Sequence, residues 1–459
     1  MRRSVNLTEG DVFLTLFQFS MPFLFTNLLQ ACYGASDLFM VGRFADSTAV
    51  CAVAVGSQVM QTITGLAVGL TAGGTVLVAQ HFGARNKRGV AGAVAAMLVV
   101  FGALALLMTA GAVLFVDPIC RAMQVPAQAM DDTRDYLLVC AVGIVFIVGY
   151  NAVGSILRGL GDSRTPLLLM VAACITNIST DLLFVGVLHG GAHGAAVSTV
   201  LAQVLSLLLA FLFLLARGHL AQYRRAKPVF HLCCARDLLR MGLPIAAQEG
   251  LVNVSFLLIT AVVNSMGLVA SAAVGVVEKL IVFSMLPSTA FAAAVAAMTA
   301  QNYGAGLLGR ARAGLRVGIG LSLMFGVTFF LCAQINGPGL VSLFTGDPAV
   351  IRAGAAYLRS YSFDSMLVCF VFCMNSFFSG SSRPLFPLVH SAVATFLVRV
   401  PLSWLFSRLP GASLAQVGLA APAATLVSLA LCLGYLRRHY PPAARGARQA
   451  PGRGKTPVR

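Results

Sequence analysis

The apolar residues of this chain form long runs that short polar segments separate. Each run has about 20 residues or more, which is the length that a helix needs to cross a bilayer. The runs are continuous in Leu, Val, Ala, Phe and Gly, whereas strands of an outer-membrane barrel alternate apolar and polar positions. The pattern therefore predicts an all-α polytopic membrane protein with about twelve transmembrane helices.

The composition agrees with this pattern. Of the 459 residues, 58% are hydrophobic and only 10% are charged, well below the quarter that is typical of soluble domains. The basic start Met1-Arg2-Arg3 precedes an apolar segment that is too long for a signal peptide and has no small-residue cleavage site. We therefore expect the first helix to be retained in the membrane.

The net charge of +17 comes mainly from basic residues in alternate short connections and in the tail. By the positive-inside rule this places both termini and the 217–240 connection on the cytoplasmic side of a bacterial plasma (inner) membrane. Membrane topology explains these bases, so we expect no nucleic-acid partner. The segment 438–459 is rich in Pro, Gly and Arg and is predicted to be disordered.

The chain contains an internal repeat. The segment 79–84, "AQHFGA", resembles 300–305, "AQNYGA", at an offset of 221 residues (300 − 79), and Pro22 matches Pro244 at nearly the same offset. Because six spans is an even number, both halves begin on the same side, and the repeat is parallel. We predict an N-terminal six-helix lobe (1–217), an inter-lobe linker (218–240) and a C-terminal six-helix lobe (241–437), which is the architecture of a secondary transporter.

Two acids inside the first-half spans are candidates for ion coupling. A central charge costs about 2.5–3.5 kcal/mol on insertion scales, so Asp37 and Asp181 each need a partner or a function. Asn177 lies one turn before Asp181, and carboxylate and amide oxygens suit a proton or a hard cation. The acids could exchange a proton if they face each other. The alternative is that hydrogen bonds to the backbone hold them in a structural role.

The second half carries a different set of ionisable residues. The repeat places Ile259 and Leu402 where the first half has Asp37 and Asp181, so we expect coupling acids in the first lobe only. A cavity-lining role for Glu249 is slightly favoured over a structural one. The adjacent Glu278 and Lys279 cannot pair with each other because they face different sides of a helix, so each can either line the cavity or form a salt bridge elsewhere. We expect Asp364 to be solvated from outside, and Arg399 to pair with an acid or with carbonyls freed at Pro401.

Several motifs together resemble the multidrug and toxic compound extrusion (MATE) family, in its DinF-like or clostridial-like bacterial branch. They include "SDLFMVGRF", "ILRGLGDSRTP", "NISTDLLF", "GAAVSTVLAQ", "GLPIAAQ" and "AAMTAQNYGAG". The resemblance implies twelve helices in two lobes and export of amphipathic, often cationic, compounds in exchange for H⁺ or Na⁺. It also implies a first-lobe cation site at Asp37, Asn177, Asp181 and Thr199, with no cofactor beyond the coupling ion.

Further candidate residues concern the bending of the first helix and the substrate cavity. Pro22 is the candidate kink of the first helix. In the NorM-like branch an acid is expected in the seventh helix, at a position that falls on Val252 here, and Glu249 comes three residues earlier. The candidate residues of the substrate cavity are Asn151, Gln248, Glu249, Glu278 and Arg399.

The leading functional hypothesis is therefore an antiporter that works by alternating access, as a monomer in the lipid bilayer and on small-molecule substrates. A flippase for a lipid-linked phosphate is the alternative on the same fold, and it would need several basic residues in the cavity. An intramembrane enzyme is not expected, because the histidines form no metal motif and no nucleophile–base set inside the spans.

Overall fold

The computed structural model describes residues 5–216, 231–409 and 413–441. Within these ranges twelve helices are long and apolar enough to cross a membrane, which confirms the predicted fold class. They are α1 (Val12–Phe44), α2 (Ser47–Gly83), α3 (Lys87–Leu114), α4 (Ala127–Gly159), α5 (Arg164–Val187), α6 (Gly191–Leu214), α7 (Leu232–Asn264), α8 (Leu268–Gly304), α9 (Leu308–Ser342), α10 (Pro348–Gly380), α11 (Leu385–Arg408) and α12 (Leu414–His439).

Short polar side chains start several of these helices. The carboxylate of Asp11 accepts from the backbone N–H of Leu14, the carboxylate of Asp46 accepts from that of Ala49, and Asn86 caps α3 in the same way. Such caps satisfy N–H groups that have no partner inside the helix. These helices therefore begin where the sequence supplies a capping residue.

Two helices at equivalent places in the repeat depart from regular α geometry. The last part of α5, Leu182–Val187, is π-helical, and so is Thr395–Arg399 within α11. The first π-helical segment begins directly after Asp181, and the second ends at Arg399. Such segments often mark functional positions in helices.

The two lobes contact each other through glycine-rich faces of α2 and α7. A Cβ atom on Gly73 would lie 2.5 Å from the backbone N and Cα of Gly242, and one on Gly69 would lie 2.6 Å from Cα of Ala246. The helices therefore pack with their backbones in direct contact, as small residues allow in membranes.

The membrane face at which α1 begins is here named the N-terminal face. Among the described residues, the hydrogen bonds between the lobes lie in the half of the membrane nearer to this face. Asn27 bonds to Thr289 near mid-helix at 3.1 Å, and the other bonds lie at or near the ends of α2 and α8. The lobes are therefore joined on the N-terminal face.

Residues 5–10, here named the N-terminal strap, run across this junction. The backbone N–H of Val5 donates to the carbonyl of Gly161 in the first lobe at 3.1 Å, and that of Leu7 donates to Oε1 of Gln301 in the second lobe at 3.2 Å. The guanidinium of Arg310 donates to three strap carbonyls at 2.5–3.2 Å. Because Leu7 is fully buried, the strap is part of the closed junction.

The predicted inter-lobe linker was too long at its C-terminal end. Helix α7 begins at Leu232, so residues 232–240 are helical and not linker. Ala235 and Leu238 lie three residues apart on one face, and both are buried, which explains the helix despite the charges of the segment. Residues 217–230 and 442–459, which include most of the predicted linker and tail, lie outside the described residues.

Candidate functional site

Helices α1, α5 and α6 bring the four predicted ion-coupling residues to one place. Asn177 and Asp181 have no exposed surface, and Asp37 is 5% exposed. The hydroxyl of Thr199 donates to Oδ2 of Asp37 at 3.1 Å, and the carboxyl groups of Asp37 and Asp181 lie close enough to interact electrostatically. Asp37 and Thr199 are therefore in contact, although they are farther apart in the sequence than any other two of these four residues.

Most polar atoms of this group have no hydrogen-bonding partner among the described residues. They are Oδ1 of Asp37, both polar side-chain atoms of Asn177 and both carboxylate oxygens of Asp181. Buried polar atoms are paired in the great majority of cases, and each one left unpaired costs about 1–3 kcal/mol. These five atoms show no backbone hydrogen bonds of the kind that a structural role would require, and they leave free ligand positions in the buried interior.

Other polar side chains next to this group were missed in the sequence. The hydroxyl of Tyr33, one turn before Asp37 on α1, donates to the backbone carbonyl of Thr199 at 3.4 Å. Ser198 is fully buried, and its hydroxyl lies near the carboxylate of Asp181. Helical spacing from Asp37 could have identified Tyr33, and the position next to Thr199 in the sequence could have identified Ser198.

Helix α4 brings two residues near Asp37 that were not predicted from the sequence. Tyr136 and Cys140 lie close enough to Asp37 to interact with it electrostatically. The side-chain amide of Asn151 instead donates to the carbonyl of Ile147 in its own helix at 2.9 Å. Eleven residues, or about three helical turns, separate Asn151 from Cys140 (151 − 140), so Asn151 lies away from the ion-coupling group, and its role in the substrate cavity stays a prediction.

The second lobe contains a separate buried group of charges. The hydroxyl of Thr260 donates to Oε1 of Glu278 at 3.4 Å, and the guanidinium of Arg399 lies 5.0 Å from the ring centroid of Phe256. Asp364 is 4% exposed, so the prediction that water solvates it was wrong: it lies in the middle of α10 and not near its end. Arg399 interacts electrostatically with both acids without a direct ion pair.

The two remaining cavity candidates lie next to each other on α7. The side-chain amide of Gln248 donates to the hydroxyl of Ser391 on α11 at 3.2 Å, which is a contact within the second lobe. Glu249 has an exposed side chain. At the places equivalent to Asp37 and Asp181 the second lobe has Ile259, which is 3% exposed, and Leu402. The two lobes therefore carry different chemistry at equivalent positions.

The donor set of the first-lobe group decides what it can bind. It offers carboxylate, amide and hydroxyl oxygens, which are the ligands of hard cations and the acceptors of protons. Soft metals prefer thiolate and imidazole ligands, and no group of three or more His, Cys, Asp or Glu side chains suited to a metal occurs in the described part of the chain. The arrangement therefore suits a proton or a hard cation.

The family model MatE matches this chain twice, at residues 22–183 and 244–405. The chain belongs to the MATE family. Each match falls within one lobe, which confirms the internal repeat at an offset of 222 residues (244 − 22). MATE proteins are transporters and not enzymes, so this MATE protein is a multi-pass membrane transporter.

Curated relatives and solved structures agree with this membership. The probable multidrug resistance protein YpnP of Bacillus subtilis is 26% identical over 438 residues, covering 95% of this chain and 97% of the relative. The DNA damage-inducible protein F of Escherichia coli is 25% identical, with 82% of each chain covered. A solved structure described as the outward-facing conformation of a multidrug resistance MATE family transporter has a TM-score of 0.86 at 22% identity, covering 95% of this chain and 98% of that one.

Proposed function

We propose that this MATE protein is a secondary antiporter that exports amphipathic, often cationic, compounds in exchange for H⁺ or Na⁺. The observation that carries the proposal is the set of five buried, unpaired polar atoms on Asp37, Asn177 and Asp181. Curated relatives named as probable multidrug resistance proteins support the class of cargo.

The coupling follows from the energetics of burying two carboxylates together. Without a bound cation, the charges of Asp37 and Asp181 repel each other and have lost their hydration. A proton or Na⁺ removes part of this penalty, so ion binding stabilises the arrangement in which α1 packs against α5 and α6. Release of the ion favours a shift of α1, for which Pro22 provides a weak point because it removes one helical hydrogen bond.

The closed N-terminal face bears on which conformational state of the transport cycle the structure represents. The positive-inside prediction places this face in the cytoplasm, so the strap and the cross-lobe hydrogen bonds would close the cytoplasmic side. We infer that the structure corresponds to an outward-facing state, in which the first-lobe group takes up its ion from outside. Alternating access then requires the hydrogen bonds on the N-terminal face to break.

The flippase alternative has less support. A pyrophosphate needs several cationic side chains, and the candidate residues of the second lobe include two bases, Lys279 and Arg399, against three acids, Glu249, Glu278 and Asp364. This balance favours a cationic cargo over a lipid-linked phosphate.

Transport in proteoliposomes tests the proposal. Wild-type protein and Asp37→Asn would be compared for uptake of ethidium under H⁺ and Na⁺ gradients that are imposed separately. The isosteric variant cannot alternate between charged and neutral forms, so we expect at least a roughly tenfold loss under the gradient that drives the wild type. Asp364→Asn is the matched control, because it removes a buried acid of the second lobe. If Asp37→Asn pumps as well as wild type under both gradients, coupling at Asp37 is ruled out.

A further inference from the structure

A polar pocket of about 240 Å³ lies on the N-terminal face, between the N-terminal strap and the turn that joins α2 to α3. Asn6 and Thr8 line it from the strap, His81 lines it from the end of α2, and Arg85 and Lys87 line it from the turn. The ion-coupling group lies on other helices, so the proposed antiport leaves this pocket without a role.

The backbone of Arg85 adopts a conformation that disfavours a side chain. Its φ is 55°, in the left-handed region, which is unfavourable for a residue other than glycine. The repeat places Gly306, with φ 75°, at the equivalent position. The turn is the same in both lobes, because the N–H of Arg85 bonds to Phe82 at 3.0 Å and that of Gly306 bonds to Tyr303 at 3.1 Å.

The fold can therefore build this turn with glycine, and the first lobe carries an arginine at an energetic cost. Strained residues of this kind concentrate at functional sites. The second-lobe turn also lacks the other cations, since Leu308 and Gly309 stand where the first lobe has Lys87 and Arg88. The cations at positions 85, 87 and 88 therefore have no equivalents in the second lobe, and the turn does not need them to fold. The first basic residue after the second-lobe turn, Arg310, already donates to strap carbonyls.

Two acidic residues lie near the pocket, Glu9 of the strap and Asp237, which interacts electrostatically with His81. Glu9 of the strap lies 3.7 Å from the guanidinium of Arg85, but both side chains are mostly exposed, and such pairs contribute little. The side chain of Asn86 caps the N–H of Gly89 at 2.9 Å. The earlier N–H groups of α3 have no acceptor within the helix and add positive potential at the same end.

We propose that this pocket binds a phosphate group, presented by an anionic phospholipid headgroup or by a soluble phosphorylated compound. The guanidinium of Arg85 can bind two phosphate oxygens at once, and Lys87 adds a second charge. The side-chain amide of Asn6 can donate a hydrogen bond from the strap, and the Thr8 hydroxyl, which donates to Oδ1 of Asn6 at 2.6 Å, orients that amide. The ends of α2 and α3 are expected at the membrane surface, where lipid headgroups also lie.

A bound phosphate would add a link between the strap and the first lobe, beside the bond from Val5 to Gly161. Arg310 and Gln301 already hold the strap to the second lobe, so the ligand would strengthen closure of the N-terminal face. This inference depends neither on the cargo nor on the coupling ion, and its test can fail while antiport at Asp37 stands.

Hydrogen exchange of the strap amides in full-length protein tests the site. The protein would be held in dodecyl maltoside micelles, which contain no phosphate, and titrated with inorganic phosphate or with phosphatidylglycerol. Diacylglycerol, which lacks the phosphate group, is the lipid control. We expect one phosphate source to slow exchange at Val5 and Leu7, while diacylglycerol leaves it unchanged.

Three variants locate the effect. Arg85→Gly fits the left-handed conformation, so it should fold at least as well as wild type, and we expect about fivefold weaker binding. Lys87→Gln should weaken binding to a similar degree. Arg88→Gln removes the same charge from a neighbouring residue outside the pocket and should bind as wild type does.

The two sources give different results. A response to inorganic phosphate supports a soluble ligand, and a response to phosphatidylglycerol alone supports a lipid headgroup. The proposal is overturned if neither phosphate source slows exchange, or if Arg88→Gln weakens binding as much as Arg85→Gly does.

Discussion

Gln80 and Gln301 occupy equivalent positions in the two lobes, and each donates a hydrogen bond to a backbone carbonyl of the opposite lobe. Nε2 of Gln80 lies 2.8 Å from the oxygen of Gly380, and Nε2 of Gln301 lies 2.9 Å from the oxygen of Gly159. The two carbonyls are themselves related by the repeat. The N-terminal face is therefore closed by a pseudo-symmetric pair of contacts that must break together when the lobes separate.

Loss of one glutamine should weaken this closure. Gln301→Ala removes the bond to Gly159 and the acceptor for the strap N–H of Leu7. A net contribution of about 1 kcal/mol for each bond predicts exchange of the Leu7 amide that is roughly fivefold to thirtyfold faster. Hydrogen exchange measured by mass spectrometry checks this result.

Gln334→Ala is the matched control for Gln301→Ala. Gln334 also donates to a backbone carbonyl, that of Arg359 at 2.8 Å, but both residues belong to the second lobe. Its substitution should leave exchange in the strap unchanged. Equal exchange rates in Gln301→Ala and wild type would show that these bonds do not hold the face closed.

Much of the fold could be predicted because a bilayer imposes long apolar helices. The repeat was visible because "AQHFGA" and "AQNYGA" contain the residues of the cross-lobe junction. The proximity of Asp37 to Asp181 was also predictable in outline, since unpaired charges within spans must find partners or bind ions. Whether these residues couple transport to an ion stays a prediction.

The remaining features depend on contacts that no local pattern encodes. The strap has no apolar periodicity, and it is held by backbone hydrogen bonds to residues such as Gln301, nearly three hundred positions away. Sequence alone likewise gave no sign that Arg85 takes a left-handed conformation. The start of α7 was misplaced because charges in 232–240 hid the buried face of Ala235 and Leu238.

Asp181→Asn should make the protein more stable and less active. The side chain is fully buried, and its carboxylate oxygens have no partner among the described residues. Removal of a buried charge beside Asp37 should raise the melting temperature by a few degrees, which corresponds to about 1–2 kcal/mol in the free energy of unfolding. Gradient-driven transport should fall at least about tenfold, as in other trade-offs between stability and activity.

Thermal melting and proteoliposome transport measure the two effects of Asp181→Asn on one preparation. Asp117→Asn is the control, because Asp117 forms an exposed pair with Arg134 at 3.0 Å, and such pairs contribute little. Unchanged stability together with unchanged transport in Asp181→Asn would contradict a role in ion coupling.

Pro22→Ala should stiffen α1 and slow the transport cycle. Proline inside this helix prevents a backbone hydrogen bond to Gln18 and disfavours helix by up to about 3 kcal/mol relative to alanine. The variant should show slower hydrogen exchange around residue 22 and transport several-fold below wild type. Pro244→Ala, the repeat equivalent in α7, is the control, and equal slowing by both variants would argue against a special role for α1.

Gly73→Ala should push the lobes apart at the contact between α2 and α7. The added Cβ would lie 2.5 Å from the backbone of Gly242, where no flexible side chain can move away. Overpacking of this kind typically costs about 1–3 kcal/mol, so we expect a lower melting temperature. Gly65→Ala, on the same helix with nothing within 4 Å of the new Cβ, should instead stabilise the protein by about 0.5–1 kcal/mol. Equal melting temperatures for the two variants would show that the lobes do not pack backbone to backbone at Gly73.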